Sequence, residues 1–212
     1  MMAAKKQRIY LIRHGETEFN RLGIFRGRYE VDLNDNGRSQ AGETGRALKD
    51  EDISFILTGP LSRTMETARI VAGEIGVDCR VDEAFNNIAL GKWQGVEKEK
   101  VKRDFPEMWK IWISDAEQLK LPGGESVEEV RQRATRRLLE VVAEEEGSFA
   151  IVTHRSVIKG LAASMLGVAA PYFWKFYVDN AAYGVFEYDG TRFILISWNV
   201  NHHVTQKVVE TF

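Results

Sequence analysis

Short apolar runs alternate with helical patterns along the first third of the chain. Ile9 to Ile12 and Ile53 to Leu57 are short apolar runs of strand length, the second interrupted only by Ser54, and each is followed by a segment of helical character, Gly37 to Leu48 and Ser62 to Ile75. In the latter, Met65, Ala68, Ala72 and Ile75 recur at intervals of three and four, so one helical face is apolar and belongs to the core. This alternation predicts β-α-β units and a largely parallel sheet covered by helices on both faces.

The same grammar continues further along. Ser126 stands three residues before Glu129, a capping-box spacing, and Val127, Val130, Ala134, Leu138 and Val141 then form the apolar stripe of a long helix. Phe149 to Thr153 reads as a buried strand, and Val157, Ile158, Leu161, Ala162 and Met165 mark another helix. Near the end, Ala182 to Tyr188 and Arg192 to Trp198 are rich in aromatic and β-branched residues and flank Asp189-Gly190, a hairpin signal. The expectation is a three-layer α/β/α sandwich with a mostly parallel central sheet and an antiparallel edge strand. No internal repeat or linker divides the chain, so residues 1–212 are read as one domain. Gly95 to Pro122, with Trp109, Trp112 and alternating charges, is expected to form helices crossing an opening at one end of the sheet.

Composition adds mainly exclusions. At 212 residues, with 44% hydrophobic and 28% charged residues, the chain is an ordinary globular protein able to bury a sizeable core. A net charge of -2 gives no global attraction for nucleic acid or anionic lipid, and neither is expected as a partner. The basic start, Met1 to Lys6, is followed by an apolar stretch that ends at Arg13, too short for a secretory signal, and a cytoplasmic location is expected. Gly160 to Trp174 is largely apolar but contains Ser164, two glycines and Pro171 and falls short of a membrane span. The one cysteine, Cys79, fits a reducing compartment and reads as a small buried residue in a strand.

Of the four histidines, His14 and His154 each follow directly on an apolar strand run, so both belong at carboxyl ends of strands. In open α/β sheets that rim is where ligands bind. Arg13 precedes His14, and Arg63 opens the helix after the second strand. If the first two strands are neighbours, both guanidiniums reach the same rim, and such a pair suits a phosphoryl group because each can donate two parallel hydrogen bonds to its oxygens. A zinc site built on the same histidines is the competing reading; it needs a third protein ligand, and an adjacent guanidinium repels the cation. His202 and His203 read as exposed tail residues.

Leu11-Ile12-Arg13-His14-Gly15-Glu16-Thr17 with Asn20 resembles the signature of the histidine phosphatase superfamily, which has the phosphoglycerate-mutase-like fold. The likeness extends through Phe25-Arg26-Gly27-Arg28, Leu33-Asn34, Gln40-Ala41, Pro60-Leu61 with Arg63, Thr67-Ala68, Gly91 with Trp93 and Gly95, and Gly123-Gly124-Glu125-Ser126 to Val152-Thr153-His154. The resemblance implies a metal-independent and cofactor-independent enzyme in which His14 attacks phosphorus, one ring nitrogen being held as N–H by a backbone carbonyl. Arg13, Arg63 and His154 surround the phosphoryl oxygens in that picture, Asn20 supplies an amide at the phosphate pocket, and Arg26 or Arg28 extends the positive wall.

The chain departs from the family pattern at two positions. Ile24 stands where the family often has an arginine. More consequentially, Asn87 occupies the usual place of the acidic proton donor, and an amide cannot protonate a leaving alkoxide. Glu83 is a nearby substitute or a solvated loop carboxylate. The resemblance therefore implies a phosphomonoesterase acting on a small phosphorylated metabolite, slow on alkyl esters. A phosphoglycerate mutase and a phosphoester-binding protein with weakened catalysis are the alternatives. Both a monomer and a homodimer paired through the terminal hairpin are compatible with the sequence.

Overall fold

The computed structural model describes residues 6–207; residues 1–5, most of the basic start, lie outside the described residues. Its elements are β1 (Gln7–Arg13), α1 (Glu18–Arg21), α2 (Asp35–Ala47), β2 (Ile53–Thr58), α3 (Ser62–Ile75), β3 (Asp78–Val81), α4 (Lys98–Asp104), α5 (Pro106–Ser114), α6 (Val127–Glu144), β4 (Ser148–Thr153), α7 (Arg155–Met165), β5 (Tyr183–Tyr188) and β6 (Phe193–Val200). The strands form one six-stranded sheet in the order β3-β2-β4-β1-β5-β6. The first four named in that order are mutually parallel, and β5 runs against β1. The C-terminal hairpin thus brings the antiparallel strand, with β6 paired outside it.

The first two strands are not neighbours, contrary to the condition set above for Arg13 and Arg63. β4 lies between them and pairs with both. All six β4 residues are buried, and a strand of Ser, Phe, Ala, Ile, Val and Thr with no charge is suited to the centre of a sheet covered on both faces.

Successive side chains in the strands point to opposite faces, and two cores follow. Tyr10, Ile12, Ile56, Ala150 and Val152 meet Ala68, Val71 and Ala72 of α3 on one face. Ile9, Leu11, Phe149 and Ile151 meet α6 and α7 on the other. The capping box at α6 forms as its spacing predicts: Ser126 Oγ accepts from Glu129 N at 3.1 Å and Glu129 Oε2 accepts from Ser126 N at 2.7 Å. The stripe Val127, Val130, Ala134, Leu138 and Val141 is buried along its whole length. These layers make an α/β/α sandwich.

α4, α5 and the turns around them close one end of the second core. Phe25, Trp93, Trp112, Phe173 and Trp174 form a continuous aromatic cluster, with Phe25–Trp93 centroids 5.2 Å apart and Trp112–Phe173 centroids 5.3 Å apart. Two expectations need correction. Cys79 is only half-buried, because β3 is an edge strand. His203 is not an exposed tail residue: it is partly buried, stacked on Tyr183, with Nε2 3.1 Å from Thr44 Oγ1. Among the described residues no helix is long and apolar enough to cross a membrane.

Candidate active site

β1 and β4 are adjacent and parallel with Arg13 opposite Thr153, so the next residues, His14 and His154, leave the sheet side by side. The backbone N–H of His14 donates to Thr153 O at 3.0 Å, tying the two strand ends together. The imidazole rings meet edge to face with centroids 5.3 Å apart. Both side chains are almost wholly buried.

His14 is fixed in one tautomer. Its Nδ1 lies 2.6 Å from Gly15 O, and since a carbonyl only accepts, Nδ1 carries the hydrogen and Nε2 keeps a lone pair. The loop holding it is itself crowded into place. A Cβ on Gly15 would lie 2.3 Å from Gly37 O, and one on Gly37 would lie 2.1 Å from Glu16 O. Gly15 N donates to Thr67 Oγ1 of α3, and Asn180 Nδ2 donates to His14 O at 3.1 Å.

Arg13 and Arg63 arrive from different directions. Arg13 Nη1 donates to Val178 O at 2.9 Å, which couples β1 to the segment before β5. Arg63, in the first turn of α3, is fully buried. Its fork spans the loop after Phe25, donating to Tyr29 O at 2.9 Å and Gly27 O at 2.8 Å. Its Nε has no hydrogen-bond partner among the described residues.

A cavity opens at this rim, and Arg13, His14, Arg26, Asn87, Lys98, His154, Arg155 and Ser156 supply its polar lining; Phe25, Trp112 and Phe173 supply its aromatic side. Arg63 and Asn20 do not line it. Asn20 sits in the first turn of α1, where its Oδ1 accepts from Thr17 N and Thr17 Oγ1. Arg28 does not line it either: its Nε donates to Asn87 O at 3.0 Å and its Nη2 meets Glu125 at 2.9 Å. Glu83 is exposed and its carboxylate accepts from Asn86 Nδ2. Ser156 of α7 and Asn180 complete the surroundings of the two histidines. Ser156 follows His154 by two positions, close enough to share its rim, whereas nothing local marks Asn180.

Burial, then the charge of Arg63, lowers the pKa of both histidines well below the usual imidazole range, with Arg13 and Arg26 adding to it. Both rings are therefore neutral near pH 7. Neither ring nitrogen of His154 has a hydrogen-bond partner among the described residues, an uncommon state for a buried polar group. His154 also stands at the N-cap of α7, so the positive end of that helix faces the cavity. A nucleophilic nitrogen, cationic donors and a helix N-terminus converge on a space suited to a phosphoryl group. Among the described residues, no group of three or more His, Cys, Asp or Glu side chains is arranged to hold a metal ion.

Residues 9–201 match the family model of the histidine phosphatase superfamily, branch 1. Phosphoserine phosphatase 1 of Hydrogenobacter thermophilus is 29% identical over 204 residues, covering 96% of this chain and 97% of the relative. Among solved structures, YhfR of Bacillus stearothermophilus superposes with a TM-score of 0.88 at 28% identity, over 93% of this chain and 99% of that one. A mycobacterial glucosyl-3-phosphoglycerate phosphatase in complex with VO3 gives a TM-score of 0.86 at 27% identity, over 91% and 98%. The chain belongs to the histidine phosphatase superfamily.

Proposed function

We propose that this member of the histidine phosphatase superfamily is a phosphomonoesterase that hydrolyses a small phosphorylated metabolite through a phosphohistidine at His14. The observation that carries this reading is the His14 ring: its Nδ1–H is committed to Gly15 O, which leaves the Nε2 lone pair beside His154 in a cavity also lined by Arg13. The names of the relatives, phosphoserine phosphatase and glucosyl-3-phosphoglycerate phosphatase, support the substrate class.

The reaction divides into two displacements. In the first, the Nε2 lone pair forms a bond to phosphorus while the phosphorus–oxygen bond to the leaving group breaks, its electron pair going to that oxygen. The imidazole becomes cationic, and the Gly15 carbonyl facing Nδ1–H favours that charge. Negative charge spread over the phosphoryl oxygens is met by Arg13 and by the neutral N–H that His154 presents, with Arg63 holding the loop at Gly27 and Tyr29. In the second, water attacks phosphorus, the P–N bond breaks, its electrons return to Nε2, and the proton of the water leaves with phosphate or solvent.

Low histidine pKa values suit the first step, since a protonated ring has no lone pair to offer. Replacing His14 with alanine is expected to abolish hydrolysis of p-nitrophenyl phosphate in steady-state assays. Undiminished hydrolysis by that variant would remove the reading.

A further inference from the structure

Asn87 is held in a way that makes it a donor with no proton to give up. Its Oδ1 accepts from Ile88 N at 2.9 Å and from Ser156 Oγ at 2.8 Å, and its Nδ2 donates to Gly27 O at 2.7 Å. A backbone N–H must donate and a carbonyl must accept, so these contacts also fix which end of the amide is which. Both acceptor positions of Oδ1 are filled, and Nδ2, with one N–H given to Gly27 O, keeps a second N–H for a ligand in the cavity that Asn87 lines.

No neighbouring group repairs the missing acid. Among the described residues, no carboxylate lines the cavity. Glu125 is engaged by Arg133 at 3.0 Å and by Arg28 at 2.9 Å. Burial opposes its charge, but the hydrogen bonds and charge of Arg133 prevail and hold it below the usual carboxylate range, so it is ionised at neutral pH. Ser156 offers the one hydroxyl among the lining residues described, and it is aimed at Asn87. Arg26, Lys98 and Arg155 also line the cavity. A guanidinium does not give up its proton, and Lys98 brings a further positive charge to the wall. These cations stabilise a negative oxygen without neutralising it.

On the phosphatase reading above, we propose that the pocket selects phosphate derivatives whose leaving group departs as a stable anion, namely aryl, enol and acyl phosphates and phosphoanhydrides, in preference to simple alkyl esters. When the phosphorus–oxygen bond breaks, the electron pair stays on the leaving oxygen, which departs as phenolate, enolate, carboxylate or phosphate and takes its proton from solvent after release. The surrounding cations and the Asn87 N–H meet that charge in place of an acid.

The test is kcat/KM for a series of aryl phosphates spanning phenol pKa values, with phenethyl phosphate as the alkyl member, for the wild type and Asn87→Glu. Trapping of the phosphorylated protein and mapping of the modified residue accompany each ester. The wild type is expected to show a steep fall with rising leaving-group pKa, label at His14 with the good leaving groups, and an alkyl rate lower by orders of magnitude. Asn87→Glu is expected to narrow the aryl-to-alkyl gap by roughly 10²-fold or more, the low end of what a positioned general acid contributes. The wild-type series decides the matter even if the variant does not fold. Label at His14 with a flat leaving-group dependence would overturn this inference alone, and a flat dependence lost in Lys98→Met would identify the acid. No turnover and no label with any ester would overturn the phosphatase reading and this inference together.

Discussion

His14 and His154 lie at the carboxyl ends of two adjacent parallel strands with ring centroids 5.3 Å apart, and both are buried. Burial first, then the charges of Arg63, Arg13 and Arg26, keeps protons off both rings, and both pKa values are lowered. Each ring then has a lone pair to offer and an N–H to donate, at the cost of desolvating two polar groups that folding leaves partly unanswered.

That cost sets a pH dependence of stability. In the unfolded chain both histidines return to the usual pKa near 6.5, so below that value the unfolded state binds protons that the folded state refuses. Stability therefore falls as pH drops below about 6.5, by up to roughly 1.4 kcal/mol per pH unit for each histidine. Urea midpoints between pH 7 and pH 5 check this. The wild type is expected to lose more than His154→Gln over that interval, and equal losses would mean that His154 does not contribute.

Phosphate or vanadate should stabilise the fold, because an anion in the cavity is attracted by Arg13 and by the N-terminus of α7. At about a hundred times its Kd an anion adds roughly 2.7 kcal/mol, which for a protein of this size is a rise of roughly 5–10 °C in Tm. Thermal unfolding with and without phosphate, compared with chloride at matched ionic strength, measures it. His14→Ala is expected to retain part of the shift, since the arginines remain.

Arg63→Lys tests the fork. A lysine cannot span Gly27 O and Tyr29 O together or present the Nε–H, although it keeps the charge. We expect kcat to fall because the loop at Gly27 and Tyr29, which carries Arg26 to the cavity, loses its anchor, with a loss of stability from the orphaned carbonyls of roughly 1–3 kcal/mol. Steady-state kinetics and urea unfolding separate the two effects.

The contact between the Gly15 loop and Gly37 in the first turn of α2 sets the position of the nucleophile. A Cβ at either residue would drive into backbone oxygen, at 2.3 Å for Gly15 and 2.1 Å for Gly37. Backbone cannot yield as a side-chain end can, so Gly15→Ala is expected to destabilise the protein by several kcal/mol, about the upper range for single substitutions. Its residual folded fraction should be inactive. Gly73→Ala, where no atom lies within 4 Å, serves as the control and is expected to be neutral or stabilising.

Much of this arrangement is legible in the residues. The apolar runs ending at Arg13 and Thr153 locate two strand ends, and the shared register of β1 and β4 brings the histidines beside each other. The spacing of Ala68 and Ala72 and the Ser126–Glu129 pair mark α3 and α6. Sheet order is not legible in the same way, because local pattern identifies a strand but not its neighbour, and the central place of β4 depends on crossovers between distant segments. Asn180 shows the same limit for the site: its bond to His14 O joins residues 166 positions apart. The partial burial of His203 likewise comes from long-range contacts, with Thr44 and Tyr183. Asn87, by contrast, stands out by residue type alone once its neighbours are aligned by motif, and its geometry then explains what the amide does there.

The most direct measurement is rapid acid-free quenching of the purified protein during turnover of p-nitrophenyl phosphate, followed by mass-spectrometric mapping of the phosphorylated residue. A phosphoryl group on His14, formed at a rate no slower than turnover and absent in His14→Ala, is the expected result. Steady turnover with no phosphohistidine formed, or with the label on another residue, would contradict nucleophilic attack by His14.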